Sequence, residues 1–319
     1  MELTHSDVKA AAERVRGLVR PVTVAQADHT GHLWFALEFL QHTGSFKARG
    51  AVNFLRTHRE NGTLPEVGVT IASGGNAGLA CAWAARSQGV PATVFLPATA
   101  PRVKVDRLTS YSADVRLVGT QYADALAASR DFADATGALL SHAYDNPLIA
   151  AGAGTLMTEV HARIPDLDTV VVAVGGGGLF SGVATTAEHY GVRTVAVEPT
   201  RCRALHAAIA AGEVVDVEVD SVAADSLGAR RVSEMALTAA RQYDVKSVLV
   251  DDAAIVAARG ALWARRRIAV EHGAATALAA ILGDEPAFRP AAGERVCVVL
   301  CGANTDPSDL ADWDSRHAD

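Results

Sequence analysis

Among 29 basic residues the chain has four lysines, Lys9, Lys47, Lys104 and Lys246; arginine fills every other basic position. A guanidinium stays protonated near neutral pH, whereas a lysine whose environment lowers its pKa becomes an amine able to attack a carbonyl. Each lysine is therefore a candidate for covalent chemistry. Lys47 has the most suggestive neighbours. Thr43-Gly44-Ser45-Phe46-Lys47-Ala48-Arg49-Gly50 reads as a turn opening a helix, with Thr43 or Ser45 as cap. The positive end of a helix helps depress an amine pKa. The bland alternative is a solvated helical lysine.

Three further segments bring polar groups to the end of an apolar run. Ala72-Ser73-Gly74-Gly75-Asn76-Ala77-Gly78 is either an ordinary strand-to-helix turn with a Ser or Asn cap, or a loop whose amides, Ser73 hydroxyl and Asn76 amide hold a carboxylate and a cofactor hydroxyl. In Val174-Gly175-Gly176-Gly177-Gly178-Leu179-Phe180-Ser181-Gly182 four glycines remove side-chain obstruction, so their amides can form a nest for a phosphate. A helix beginning near Leu179 would strengthen it. No Lys-Ser or Lys-Thr follows, which excludes a Walker A loop, and G-x-G-x-x-G fails at Phe180. Cys301-Gly302-Ala303-Asn304 ends another buried-type run. Cys301 is either a core thiol or a neutral, weak hydrogen-bonding partner for a pyridine nitrogen.

The elements that must position these residues follow from periodicity. Short β-rich runs at 67–71, 92–96, 114–118, 169–174, 193–197 and 295–300 alternate with helical patterns such as 76–88 and 122–136, the signature of βαβ units. Near-continuous valine, isoleucine and leucine in the strands fits a parallel sheet covered on both faces. The expectation is a doubly wound α/β protein. At 319 residues two lobes fit best, with a ligand at the carboxyl ends of the strands.

Composition removes other classes. Half the residues are hydrophobic and a fifth charged, as in a folded globular protein. A net charge of −7 without a basic stripe argues against nucleic acid, and Arg265-Arg266-Arg267 reads as a solvated helix face. No apolar run approaches the roughly 20 residues of a membrane span. Glu2, Asp7 and Glu13 interrupt the N-terminus, against a secretory signal, so a cytosolic setting is expected. Cys81, Cys202, Cys297 and Cys301 show no C-x-x-C and read as reduced thiols.

Taken jointly and in order, Gly44-Ser45-Phe46-Lys47, Ser73-Gly74-Gly75-Asn76, the glycines 175–178, Glu198-Pro199 and the strand before Cys301 resemble the fold type II pyridoxal-phosphate enzymes. The serine/threonine dehydratase and racemase family is most similar. The resemblance runs from about Gln41 to Asn304. It implies that Lys47 bonds covalently to pyridoxal 5'-phosphate, Phe46 packs beside the ring, Asn76 bonds the ring hydroxyl, Gly175, Gly176, Gly177, Gly178 and Leu179 take the phosphate, and Cys301 meets the pyridine nitrogen. Ser73, Gly74, Gly75 and Asn76 would bind the substrate, with Lys47 and Ser73 as catalytic residues. It also implies a smaller lobe of about 68–145 inserted in a larger one made of 1–67 and 146–319, each a mostly parallel twisted sheet flanked by helices.

The implied reaction is β-elimination from a small hydroxy amino acid, giving a 2-keto acid and ammonia. Alternatives are 3-hydroxyaspartate dehydration, racemisation, β-replacement as in cysteine synthase relatives, and a binding protein without turnover. Racemases of the family carry a serine where this chain has Gly74. Some relatives bind a cation through a glutamate like Glu198 and a nearby aspartate, but Thr200-Arg201-Cys202-Arg203-Ala204-Leu205-His206 has no acid, so no metal is expected. Cys202 and His206 lack a third ligand. Asp225-Ser226-Leu227-Gly228 and Glu271-His272-Gly273 replace familiar Asp-Gly and Glu-Pro-Ser-Gly segments and should border the substrate. No appended regulatory domain or isoleucine control is expected, and the resemblance is compatible with a homodimer.

Overall fold

The computed structural model describes residues 3–310; residues 311–319, which the expected larger lobe included, lie outside the described part. Apolar runs covered on both faces become strands, and turn residues end them. In chain order these are β1 (Val24–Gln26), β2 (Leu33–Ala36), β3 (Val69–Ala72), β4 (Ala92–Leu96), β5 (Asp114–Leu117), β6 (Leu139–Leu140), β7 (Thr169–Ala173), β8 (Arg193–Pro199), β9 (Val245–Val250) and β10 (Val296–Val299). The six anticipated strands are present with ends shifted by at most two residues. β1, β2, β6 and β9 were not anticipated.

The strands form two sheets. One has the order β1-β2-β10-β7-β8-β9 and the other β5-β4-β3-β6. Every pairing is parallel except β1 with β2. Val298 of β10 lies opposite Phe35 of β2 on one side and Val171 of β7 on the other, so the last strand sits inside the larger sheet. The chain is thus an α/β protein with two mostly parallel sheets flanked by helices.

Each sheet has its own core. Phe35, Val171, Phe180, Leu205, Leu262 and Leu278 belong to the larger one, and Leu55, Ile71, Leu79, Val94 and Leu108 to the smaller. Burying each such side chain stabilises the fold by about 1.5–3 kcal/mol. Helix Lys47–Glu60 contributes Val52, Phe54 and Leu55 to the smaller core, while its start is tied to the larger sheet. Arg49, fully buried in the first turn, makes that tie. Its guanidinium donates to Glu38 at 2.6 and 3.0 Å and to Glu159 at 2.7 and 3.1 Å. Two opposed carboxylates hold Arg49 protonated, in the forked geometry that makes such pairs directional.

Where a helix must start squarely, a side chain caps it. Asn146 accepts from the amides of Leu148 and Ile149 at the head of Pro147–Arg163, with proline in the first turn, where its missing N–H costs nothing. Because the strands are parallel, the segments after β3, β7 and β10 emerge at equivalent ends. These are the serine-glycine loop, the glycine run and Cys301, and a ligand site in such folds lies at those ends.

Candidate active site

Lys47 is the first residue of its helix, but no side chain caps it. Phe46 occupies the cap position, so neither Thr43 nor Ser45 does, contrary to expectation. The reason is the turn before it: Thr43 and Gly44 are both left-handed, at φ 62° and 76°, and Ser45 is fully extended. That path turns the Thr43 and Ser45 hydroxyls into the protein, where each is buried without a partner. The second helix, Asn76–Ser87, also starts without a side-chain cap. Its asparagine is engaged elsewhere.

The turn is held by the segment after β10. The Phe46 amide donates to the Cys301 carbonyl at 3.0 Å, the Ala303 amide donates to the Gly44 carbonyl at 2.9 Å, and Ser45 bridges Gly302. Asn304 completes the junction by donating to the carbonyl of Thr43 and to Asn76 Oδ1, both at 2.7 Å. Three segments far apart in sequence therefore meet at one asparagine.

Lys47 Nζ lies 4.6 Å from the centroid of the Phe46 ring and donates to the Ala143 carbonyl at 3.1 Å. Burial lowers its pKa to about 8, with Cys301 and Glu271 pulling the other way. A fraction of the amine is thus unprotonated near neutral pH. Burial drives the Cys301 thiol up, which keeps it neutral. Glu271 is pushed up to about 7, by burial first and by the charge of Asp225, against the hydrogen bond from Asn76. Asn76 Nδ2 donates to both of its oxygens at 3.0 Å. Sequence reasoning placed Glu271 only in a border segment. Its one signal was its place in the Glu271-His272-Gly273 segment, expected to border the substrate.

The glycine run behaves as a cradle. Helix Gly178–His189 begins one residue earlier than expected, and Gly177 is left-handed at φ 95°. Among the described residues the N–H groups of 175–179 find no acceptor within the protein. A Cβ on Gly176 would stand 2.4 Å from the Tyr144 ring. Since Ala143 accepts from Lys47 and Tyr144 backs Gly176, adjacent residues place the cradle beside the amine. Unmet amide donors at the positive end of a 12-residue helix fit a phosphate. The enclosed amine fits an aldehyde, and a neutral thiol fits an unprotonated pyridine nitrogen. Pyridoxal phosphate matches this donor set.

The remaining candidates fall around this centre. In the Ser73-to-Asn76 loop, the Gly75 amide donates to Ser73 Oγ at 3.4 Å. A Cβ on Gly74 would stand 2.9 Å from Leu96 Cδ2. Ser226 lies against both Gly175 and Gly273, so the Asp225 and Glu271 segments meet beside the glycine run. Glu198 is different. Its carboxylate accepts from the amides of Leu205 and His206 at 2.7 and 2.8 Å, and burial pushes its pKa up to about 8. His206 Nδ1 contacts Ser247 Oγ at 3.1 Å, and Arg201 pairs with Asp220. Among the described residues no three metal-binding side chains converge, and no helix is long and apolar enough to cross a membrane. All four cysteines are free and buried.

The chain is 35% identical to the L-threonine ammonia-lyase of Geobacter sulfurreducens over 311 residues, covering 95% of this chain and 76% of that enzyme. Against the beta-hydroxyaspartate dehydratase of Paracoccus denitrificans it is 30% identical, covering 95% of this chain and 96% of the relative. The structure of maize serine racemase superposes with a TM-score of 0.90 at 28% identity, covering 99% of this chain and 98% of that one. A family model described as pyridoxal-phosphate dependent enzyme matches residues 18–302, a span that runs from before the Lys47 turn to just past Cys301. The chain therefore belongs to the pyridoxal-phosphate dependent enzymes.

Proposed function

We propose that this enzyme is an ammonia-lyase that removes the β-hydroxyl of a small hydroxy amino acid and releases a 2-keto acid and ammonia. The observation that carries this reading is the Lys47 amine, lowered to about 8 and enclosed with a neutral thiol and a carboxyl. Pyridoxal phosphate bound there supplies an aldehyde to hold the substrate amine and a ring to take up the electron pair left at Cα. Lys47 removes the Cα proton, a role its lowered pKa suits at neutral pH. Glu271, half-protonated at about pH 7, holds a proton next to Asn76 and tunes how that side chain meets the ring hydroxyl.

Substrate orientation falls to the loop after β3. The Ser73 hydroxyl and the amides that open helix Asn76–Ser87 take the α-carboxylate, as helix starts commonly do with anions. Cys301, kept neutral by burial, would meet the pyridine nitrogen without protonating it, which suits elimination better than racemisation. Gly74 carries no hydroxyl at the position where racemases of the family have a serine, which disfavours racemisation. The reading keeps 68–145 as the smaller lobe, a cytosolic setting and a two-copy assembly, the last measurable by light scattering.

The test is ammonia and keto-acid release from L- and D-serine, L- and D-threonine and 3-hydroxyaspartate, with no thiol present. Release supports elimination. No release, with cysteine formed once sulfide is added, replaces this reading with β-replacement.

A further inference from the structure

We infer that the protein carries a second ligand site, behind the glycine cradle, which takes a small organic cation whose charge is wrapped in apolar groups. The site is a cavity of about 480 Å³ between the start of helix Pro147–Arg163, helix Gly178–His189 and one face of helix Glu234–Gln242. Two carboxylates, Asp145 and Glu234, border it, and among the described residues neither is matched with a lysine or arginine. Arg231, the arginine closest to Glu234 along the chain, is forked onto Asp216 at 2.8 and 3.0 Å.

Thr185 is a second, independent sign of a ligand. It borders the same cavity and is only 5% exposed. The next residue, Thr186, turns its hydroxyl back to the Gly182 carbonyl at 2.8 Å, but the Thr185 hydroxyl has no hydrogen-bond partner among the described residues. Nor is it sealed off, as the hydroxyls of Thr43 and Ser45 are. What surface it keeps therefore opens on the cavity.

The other walls fix the kind of cation. Met235, Pro147 and Tyr243 are apolar or aromatic, and Thr238 lies one turn on from Glu234. A bare metal ion needs several ligands drawn together, and among the described residues no three histidine, cysteine or acidic side chains converge. An ammonium with carbon substituents matches the lining better. The carboxylates meet its charge, the Tyr243 ring and the Met235 thioether meet its apolar shell, and the threonine hydroxyls meet a polar tail.

Each wall is also a support of the cradle. Asp145 follows Tyr144, whose ring backs Gly176 and whose hydroxyl donates to the Arg231 carbonyl at 3.1 Å. Thr185 belongs to the helix that Gly178 opens. The Ser233 amide, at the cap of helix Glu234–Gln242, donates to the Gly176 carbonyl at 3.1 Å, and Ala236 Cβ is 2.4 Å from where a Cβ on Gly177 would stand. A ligand that draws these walls together steadies the amides facing the phosphate, and by linkage the cofactor tightens the ligand's site in return.

Choline is the probe, because a quaternary ammonium forms no imine with the cofactor aldehyde. Its neutral counterpart, 3,3-dimethylbutan-1-ol, has the shape without the charge. Calorimetry on the holoenzyme shows choline binding at least about tenfold more tightly than the alcohol. Asp145→Asn and Glu234→Gln each weaken choline about twofold to fivefold, the usual contribution of an exposed ion pair, and leave the alcohol unchanged. Met235→Trp fills the cavity and abolishes binding of both, which separates this cavity from the substrate pocket. In equilibrium dialysis, saturating choline lowers the dissociation constant of pyridoxal phosphate by at least about threefold. No binding, equal affinity for the two probes, or choline binding that survives all three substitutions overturns the site. Choline binding with cofactor affinity unmoved overturns its link to the cradle. Neither readout depends on which amino acid the enzyme turns over.

Discussion

The side-chain amide of Asn76 donates to both carboxylate oxygens of Glu271 at 3.0 Å, across 195 positions of sequence. Asn76 Oδ1 is meanwhile taken by Asn304. The residue expected to touch the cofactor hydroxyl is thus set on one side by an acid titrating at about 7 and on the other by a neutral amide. Protonating Glu271 would turn one of the two oxygens that Asn76 donates to into a hydroxyl and so alter how Asn76 is held.

Replacing that acid exposes the effect. Glu271→Gln removes a titrating group while keeping an acceptor for Asn76. The limb of the kcat/KM profile near pH 7 disappears, and kcat falls about tenfold, as for a lost charged hydrogen bond to Asn76. Rates measured from pH 5.5 to 9 for the two proteins decide it; an unchanged limb assigns that ionisation to another group.

Stability should follow pH in a defined direction. Glu271 and Glu198 have folded pKa values of about 7 and about 8, above the ordinary 4.5, so the folded state binds their protons more tightly than the unfolded state. Their contribution is complete below pH 4.5 and is lost as pH rises through 7 and 8. For Glu271 alone the loss is about 3 kcal/mol. Urea melts of cofactor-free protein at pH 5 and pH 8.5 are expected to show greater stability at the lower pH. Glu198→Gln, which keeps an acceptor for the amides of Leu205 and His206, flattens the difference.

Lys47→Ala abolishes the visible absorbance of the bound cofactor and lowers kcat by at least about a thousandfold, since both the covalent anchor and the proton acceptor go. Borohydride reduction followed by peptide mapping labels residue 47 in the parent protein. A label at Lys9, Lys104 or Lys246 contradicts the site described above.

Gly176→Ala tests the cradle. The added methyl group meets the Tyr144 ring at 2.4 Å, so the loop or the ring must shift. Cofactor affinity drops at least tenfold, and the holoenzyme loses about 1–3 kcal/mol, the usual cost of overpacking. Equilibrium dialysis against pyridoxal phosphate measures the first and thermal melts the second. Tyr144→Ala in the same background, by vacating the space, restores part of the affinity.

Much of this architecture is legible in the chain because parallel strands buried on both faces leave unmistakable runs, such as Val170, Val171 and Val172. The strands that escape are those without that signature. Val245–Val250 alternates at the sheet edge, Leu33–Ala36 is short and not β-branched, and Leu139–Leu140 is only a pair. The chemistry divides similarly. Lys47 and the glycine run announce themselves by local composition. Glu271 does not, since its meaning comes from Asn76 and Lys47, which only folding brings to it. The caps at Thr43 and Ser45 mislead because cap preference assumes an ordinary approach to the helix, and a left-handed Thr43 does not provide one.

The position of β10 between β2 and β7 has a further consequence for how the protein is made. Until residues 296–299 leave the ribosome, the larger sheet has a gap at its centre, and the turn carrying Lys47 lacks the carbonyl and the asparagine that fix it. A nascent chain that has not yet delivered β10 therefore has no finished pocket to trap vitamin-derived aldehyde, and cofactor capture must follow that strand's insertion. Such late insertion is also a slow, long-range step. Truncations that remove the final strand should yield aggregates, with no partly active fragment.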